Sequence, residues 1–133
     1  MNMNISLDEV EKLANVLRLI GQPARIQILL TLAKNSACVC HIEAVTGLRQ
    51  AAISQQLTVL RKADLVKTVR EGRHIFYFLT HAELIKDIYK IADILNISPE
   101  SLAIFNTKPI PNCSCPRCNP ELDQALICKK PNH

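Results

Sequence analysis

The sequence predicts a mainly α-helical domain that carries one β-hairpin. Apolar residues recur at helical spacing through residues 7–62 and again over 81–95. Two runs rich in β-branched and aromatic residues, 65–70 and 74–79, flank the turn Glu71-Gly72-Arg73. Aromatic residues make up 4% of the chain and Trp is absent, so Leu, Ile, Val and Ala must fill the core. A chain of 133 residues suffices for one such core.

Capping residues mark the first two helices. Ser6 is predicted to cap a helix that runs to about residue 19, with Glu9 completing a capping box and Gly21 stopping it. Pro23 suits the first turn of the second helix. The inner face of that helix would hold Ile26, Leu29, Leu30 and Ala33.

The next two helices have the pattern of a helix-turn-helix. They are predicted over about residues 39–45 and 50–62, joined by the short connection Thr46-Gly47-Leu48-Arg49. The second of the pair turns a polar side outward. Glutamine amides can bind base edges in the major groove, and hydroxyl groups can reach bases or phosphates. The predicted DNA contacts on this helix are Gln50, Ser54, Gln55, Thr58 and Arg61.

The hairpin follows this helix directly, as a wing does. Arg70, Arg73 and His74 are predicted to contact phosphates or an adjacent minor groove. Basic charge is concentrated here, because residues 49–74 hold six basic and two acidic residues and so carry the whole chain's net charge of +4. Such a concentration is the electrostatic footprint of a phosphate-backbone contact.

The composition changes near Asn106. Beyond it lie five of the seven prolines and four of the six cysteines, which predicts a folded domain over residues 1–105 and a Cys/Pro-rich tail over 106–133. A tail of this composition is expected to lack a packed core of its own. No apolar run approaches the length of a membrane span, and the N-terminus lacks a secretory pattern. The predicted location is therefore the cytoplasm, where thiols stay reduced and cysteines serve metal binding or redox sensing.

Three strings in this order resemble the ArsR/SmtB family of winged-helix repressors. They are Gly21-Gln22-Pro23-Ala24-Arg25-Ile26, the run from Ala52 to Leu60, and Glu71-Gly72-Arg73-His74-Ile75-Phe76-Tyr77. The resemblance covers roughly residues 7–96. It implies a winged helix-turn-helix that binds double-stranded operator DNA as a homodimer, with the first and last core helices, residues 7–19 and 81–95, forming the dimer contact. A dimer would present two reading helices to successive major grooves.

The segment Cys38-Val39-Cys40 resembles the Cys-Val-Cys signature of arsenic-, cadmium- and lead-responsive members. The resemblance implies a repressor that releases its operator when a soft ion (arsenite, cadmium, lead or zinc) binds thiolates. Residues two apart within a helix point about 200° apart, so Cys38 must lie at or before the helix start to share an ion with Cys40. Two thiolates do not close a site. The tail offers further ligands, namely Cys113, Cys115, Cys118 and Cys128.

Three alternatives stay open for the cysteines. The tail cysteines either join Cys38 and Cys40, in the same subunit or its partner, or bind a separate zinc, since Cys115-Pro116-Arg117-Cys118 has the spacing of a metal knuckle. The segment near Cys38 also resembles that of persulfide-sensing members, which predicts a thiol-oxidation sensor as the rival function. In the third alternative the tail is a structural zinc or protein-interaction module, and the repressor responds to no ligand.

Two other sites are nearly excluded by the sequence. Zinc- and cobalt-sensing members use Asp and His pairs on the last helix, where this chain offers Ile94 in place of a needed His. No nucleophile-base set or phosphate-binding loop is present, so the sequence predicts no enzyme.

Overall fold

A computed structural model describes the backbone of residues 3–106 and the side chains of residues 7–106. Four helices precede a two-stranded antiparallel hairpin, and two helices and a 3-10 turn follow it. The helices are α1 (Met3–Ile20), α2 (Pro23–Thr31), α3 (Val39–Thr46), α4 (Gln50–Lys62), α5 (Glu83–Ile94) and α6 (Pro99–Ala103). The strands are β1 (Val66–Glu71) and β2 (His74–Leu79), and the 3-10 turn spans Ile104–Asn106. In this part of the chain no helix is long and apolar enough to cross a membrane.

The helix boundaries agree with the capping predictions except at the first helix. Helix α1 begins at Met3, so Ser6 lies inside the helix and the predicted N-cap at Ser6 is wrong. The backbone continues its helical turn upstream of Ser6, which leaves that serine with no free end to cap. Pro23 occupies the first turn of α2 as predicted, and Gly47 closes α3 with a left-handed φ of 74°.

Helix α4 ends in a tight joint that leads straight into the hairpin. Asp64 adopts a left-handed φ of 60°. The backbone N–H of Leu65 donates to the carbonyl of Leu60 at 3.0 Å, and that of Asp64 donates to the carbonyl of Arg61 at 3.0 Å. This pair of bonds is the Schellman motif, with an aspartate in the position that glycine usually takes. Only Leu65 separates the joint from β1.

The hairpin, which we call the wing, is extended by one residue of the α2–α3 connection. Within the wing Val66 pairs with Leu79 and Glu71 with His74. Ala37 adds an isolated antiparallel bridge to Tyr77 on the free side of β2. The segment that leads into α3 therefore runs beside the wing as a minimal third strand.

The core lies between the helices and one face of the wing. It includes residues from α2, α3 and α4, together with Ala37, Val66 and Tyr77. Helix α3 packs on α2 and α4, so its position and that of α4 are coupled. Two helices keep large apolar side chains at the surface. These are Leu7, Val10, Leu13, Val16 and Leu17 of α1, and Ile91 and Ile94 of α5 with Leu95 just beyond.

Candidate functional site

The outward side of α4 exposes part of the predicted DNA-contacting set. Gln55, Thr58 and Arg61 are exposed, while Ile53, Leu57 and Leu60 are buried on the opposite side. The Thr58 hydroxyl donates to the carbonyl of Ser54 at 2.9 Å. This bond fixes the rotamer of Thr58 and leaves its oxygen lone pairs available to an incoming donor.

Gln50 and Ser54 are placed less favourably than the sequence predicted. Both residues are half-buried, and Nε2 of Gln50 and Oγ of Ser54 are buried without a hydrogen-bond partner in residues 7–106. They lie on the flank of α4, between its buried side and its outward side, because helical geometry separates them from the outward centre by roughly a quarter turn or more. In this conformation Nε2 of Gln50 and Oγ of Ser54 are not exposed for a contact with DNA.

The wing exposes its two predicted arginines but not its histidine. Arg70 and Arg73 are exposed near the tip, where a phosphate could be reached. His74 is 2% exposed, so the prediction of a DNA contact there does not agree with the structure. Its side chain points onto a covered face of the wing instead of toward solvent.

Lys62 is a basic residue beside Thr58 and Arg61 that was not among the predicted DNA contacts. We call the outward side of α4 together with the exposed arginines of the wing the reading surface. Lys62 is exposed on the same side of α4 as Thr58. Thr58, Arg61 and Lys62 line a surface depression of about 330 Å³. The sequence does carry a signal for it, since residues four and seven apart share one helix face and Lys62 lies four residues after Thr58.

Arg25 fixes the position of α4 relative to the first two helices. Its Nε donates to Oε1 of Gln56 at 2.7 Å, and its Nη1 donates to the carbonyl of Leu19 at 2.8 Å. One guanidinium thus joins the end of α1, the start of α2 and the inner flank of α4. The Gln56 side chain is consequently engaged in holding α4 in position.

Cys38 occupies the position at the head of α3 that the sequence required of it. It is the N-cap of α3, with an extended backbone at φ −87° and ψ 171°, and Cys40 follows in the first turn. Both are buried thiols: Cys38 is 0% exposed and Cys40 9% exposed. Because Cys38 is outside the helical turn, the 200° separation that would keep the two thiols apart inside a helix does not apply to them.

The described residues alone do not complete a metal site. Among residues 7–106, no group of three or more His, Cys, Asp or Glu side chains is arranged to hold an ion. The predicted ligands Cys113, Cys115, Cys118 and Cys128 lie outside the described residues. His81 and Glu83 lie at the start of α5, where their exposed side chains are 3.9 Å apart.

Tyr77 connects the wing to the end of α4 electrostatically. Burial raises the pKa of the Tyr77 phenol above its ordinary value of 10.0, and the positive charge of Arg61 opposes part of that rise. The phenol is therefore neutral at physiological pH. Arg61 is exposed on α4, and its charge acts on the phenol of Tyr77, the residue of β2 that forms the bridge to Ala37.

Sequence comparison places this arrangement in a known family. Residues 22–68 match the family described as bacterial regulatory protein, arsR family. The biofilm growth-associated repressor of Agrobacterium fabrum is 40% identical over 94 residues, which cover 65% of this chain and 80% of that protein. The chain therefore belongs to the arsR family, whose members are DNA-binding regulators of transcription and not enzymes.

Two solved structures share the fold. The transcriptional repressor BigR from Xylella fastidiosa is 33% identical, with a TM-score of 0.59 over 68% of this chain and 96% of its own. The homodimeric winged helix-turn-helix DNA-binding domain of a possible ArsR-family regulator from Mycobacterium bovis is 26% identical. Its TM-score is 0.61, over 68% of this chain and 87% of its own. The predicted fold class, a winged helix-turn-helix, is confirmed.

Proposed function

We propose that this repressor binds its operator as a homodimer and releases it when a soft metal or metalloid ion binds the thiolates of Cys38 and Cys40. The observation that carries the proposal is the position of Cys38. It caps α3, which packs on α4, and it directly follows Ala37, which is bonded to the wing. A ligand at this thiol acts at the junction of both DNA-reading elements.

The chemistry of the site favours soft ions. Two thiols two residues apart, at a helix start, suit arsenite, cadmium, lead or zinc better than hard ions. The third ligand would come from Cys113, Cys115, Cys118 or Cys128 of the tail. We place the protein in the cytoplasm, where these thiols would be reduced and able to bind an ion.

The dimer is supported by the apolar surface that one copy leaves uncovered. The exposed residues of α1 and α5 lie on the two helices that the sequence predicted for the dimer contact, and Ile94 is 78% exposed. Exposed clusters of large apolar side chains often mark an interaction site. The homodimeric state of the similar domain from Mycobacterium bovis agrees with a second copy as the occupant.

The test is an operator gel shift with reduced protein, titrated separately with cadmium, lead and arsenite. Cys38→Ser and Cys40→Ser should bind operator like the parent protein and lose release by all three ions. His81→Gln, which changes an exposed side chain, is the control and should behave as the parent. Unchanged release from Cys38→Ser would refute the assignment.

A polysulfide titration separates the proposal from the thiol-oxidation alternative. Release by polysulfide together with no response to any of the three ions would establish a redox sensor. A chelator that lowers the unfolding temperature, while the protein that stays folded keeps its operator affinity, would instead point to a structural zinc site in the tail. Release by the ions, with no response to polysulfide, is the outcome that we expect.

A further inference from the structure

A cleft opens between α5, the segment that follows α2 and the 3-10 turn. Its volume is about 450 Å³, which is within the range of small-molecule sites. Ala33 lines it from the segment after α2, and Ile85 and Tyr89 line it from α5. Ile85 is 7% exposed and joins the core, whereas Ala33 and Tyr89 are half-buried. These side chains give the cleft an apolar wall on which the hydrocarbon body of a ligand can pack.

The exposed residues that line the cleft are mainly basic. Lys34 lines it from the segment after α2 and Lys86 from α5, and both lysines are exposed. Glu83 adds a carboxylate, which lies 3.9 Å from the ring of His81. In the described part of the cleft, two ammonium groups therefore stand against one carboxylate, and this balance favours an anion at its mouth.

An amide and a phenol add hydrogen-bonding groups to one side of the cleft. Nδ2 of Asn106 donates to Oη of Tyr89 at 3.5 Å, which is long for such a bond. Oδ1 of Asn106 is buried and has no hydrogen-bond partner among residues 7–106. Because the last side-chain torsion of asparagine is broad, the amide can turn toward a ligand. Its carbonyl then accepts from a hydroxyl or amino group, and the Tyr89 hydroxyl can donate to an acceptor.

We propose that this cleft binds a small aromatic carboxylic acid that also carries a hydroxyl or amino donor. The carboxylate lies between Lys34 and Lys86, the ring packs on Ile85 and Tyr89, and the donor meets the amide of Asn106. This site is separate from the thiols of the proposed function and needs no ion. An occupant would join α5 to the segment that leads from α2 toward the wing.

The proposed dimer contact on α5 points away from this cleft. Ile91 follows Tyr89 by two residues and Ile94 follows it by five, all within α5. At about 100° for each residue, these spacings place the two isoleucines about 200° and 140° around the helix from Tyr89. The cleft and the exposed apolar residues of α5 are thus on opposite sides of the helix, so a second copy bound there would leave the cleft open.

The first test titrates full-length, reduced, ¹⁵N-labelled protein with 3-hydroxybenzoate, which combines a carboxylate, a ring and a hydroxyl donor. We expect saturable NMR shifts of the backbone amides of Ile85 and Tyr89, with a dissociation constant below about 1 mM. No saturable shift at these two residues would overturn the proposal.

Paired lysine variants test the charge of the cleft. Lys34→Gln combined with Lys86→Gln should weaken binding of 3-hydroxybenzoate about tenfold, since each exposed ion pair contributes up to about fivefold. Lys67→Gln combined with Lys90→Gln is the matched control, because it removes the same charge from exposed lysines that do not line the cleft. Its affinity should stay within about twofold of the parent. Equal weakening in both double variants would contradict a carboxylate site between Lys34 and Lys86.

A second ligand tests the contact with Asn106. Benzoate lacks the hydroxyl donor and should bind the parent about fivefold more weakly than 3-hydroxybenzoate, as expected for the loss of one hydrogen bond. Asn106→Ala should bind the two acids equally, because the accepting carbonyl is gone. Asn35→Ala, which removes the amide of an exposed asparagine outside the cleft, should keep the preference of the parent. A preference for 3-hydroxybenzoate that persists in Asn106→Ala, or that the parent lacks, would refute the proposed donor.

Discussion

Ala37 and Tyr77 exchange two backbone hydrogen bonds. The N–H of Ala37 donates to the carbonyl of Tyr77 at 3.0 Å, and the N–H of Tyr77 donates to the carbonyl of Ala37 at 2.8 Å. This pair attaches the residue before Cys38 to the middle of strand β2. The segment that enters α3 therefore cannot shift without straining the wing or breaking these two bonds.

Removing one bond of this pair should uncouple α3 from the wing. Ala37→Pro removes the N–H that donates to the Tyr77 carbonyl, and we expect a loss of about 1–3 kcal/mol in unfolding free energy, since a buried carbonyl is left unpaired. Ala37→Gly keeps the N–H and is the matched control. Urea unfolding followed by circular dichroism measures the difference, and equal stability of the two variants would contradict the role of the bridge.

Loss of the Arg25 guanidinium should loosen α4. Arg25→Ala removes hydrogen bonds to Gln56 and to the carbonyl of Leu19, and we expect a cost of about 1.5–3 kcal/mol because the donor is charged. Arg18→Ala is the matched control, since Arg18 is exposed and its Nη1 donates to Oδ1 of nearby Asn15 on the same helix. Its expected cost is below about 0.5 kcal/mol. Chemical denaturation distinguishes the two, and operator affinity should fall for Arg25→Ala.

Tyr77 should make the fold sensitive to alkaline pH. Its folded pKa is raised above 10.0, so the unfolded chain ionises first as pH increases. The stability that the neutral phenol contributes is thus complete below the unfolded pKa and is lost as pH rises through the folded pKa. Tyr77→Phe should lose stability less steeply than the parent between about pH 9 and 11. Tyr89→Phe is the control, and identical slopes for Tyr77→Phe and the parent would be the contrary result.

A charge on the exposed apolar surface of α5 should separate the subunits. Ile94→Glu would bury an unpaired carboxylate in the proposed dimer contact, and we expect the dimer dissociation constant to rise at least about 100-fold. Lys86→Glu introduces the same charge on a polar part of α5 and should leave the dimer intact. Sedimentation velocity over a concentration series gives both constants. A dimeric Ile94→Glu would exclude this surface.

The basic residues of the reading surface should set the salt dependence of operator binding. The slope of log K against log salt becomes shallower by about 0.9 for each DNA phosphate that the protein no longer neutralises. Arg73→Gln and Lys62→Gln should each reduce the slope by about that amount per subunit, whereas Lys34→Gln, which lines a cleft with residues of α5, should not. Fluorescence anisotropy at several salt concentrations measures the slopes. Parent-like slopes in both variants would remove these residues from the interface.

Turn residues and apolar periodicity in the sequence predicted the ends of two elements correctly. Strand β2 and helix α4 have the predicted ends, because a turn at Gly72 and the basic run after Leu60 delimit them sharply. The predicted N-cap at Ser6 was wrong, since a capping pattern cannot show whether the helix has already begun upstream. The helix-turn-helix was predictable because Gly47 supplies the left-handed conformation that ends α3.

The orientation of His74 could not be predicted in the same way. Strand β2 reads His-Ile-Phe-Tyr-Phe-Leu, in which both faces carry large side chains and no alternation distinguishes them. The long-range pairing of Ala37 with Tyr77 decides which side meets the core. That pairing joins residues forty positions apart and leaves no local pattern.

The Schellman motif at Asp64 couples the position of α4 to that of the wing. Since two backbone bonds close α4 and a single residue then enters β1, no slack exists between helix and wing. Because β1 pairs with β2 along its whole length, we expect a displacement of the wing to be transmitted to α4. In the proposed release, the wing and α4 would leave DNA together, so intermediate operator occupancy would reflect the fraction of molecules that have released DNA and not a partial loosening of each one.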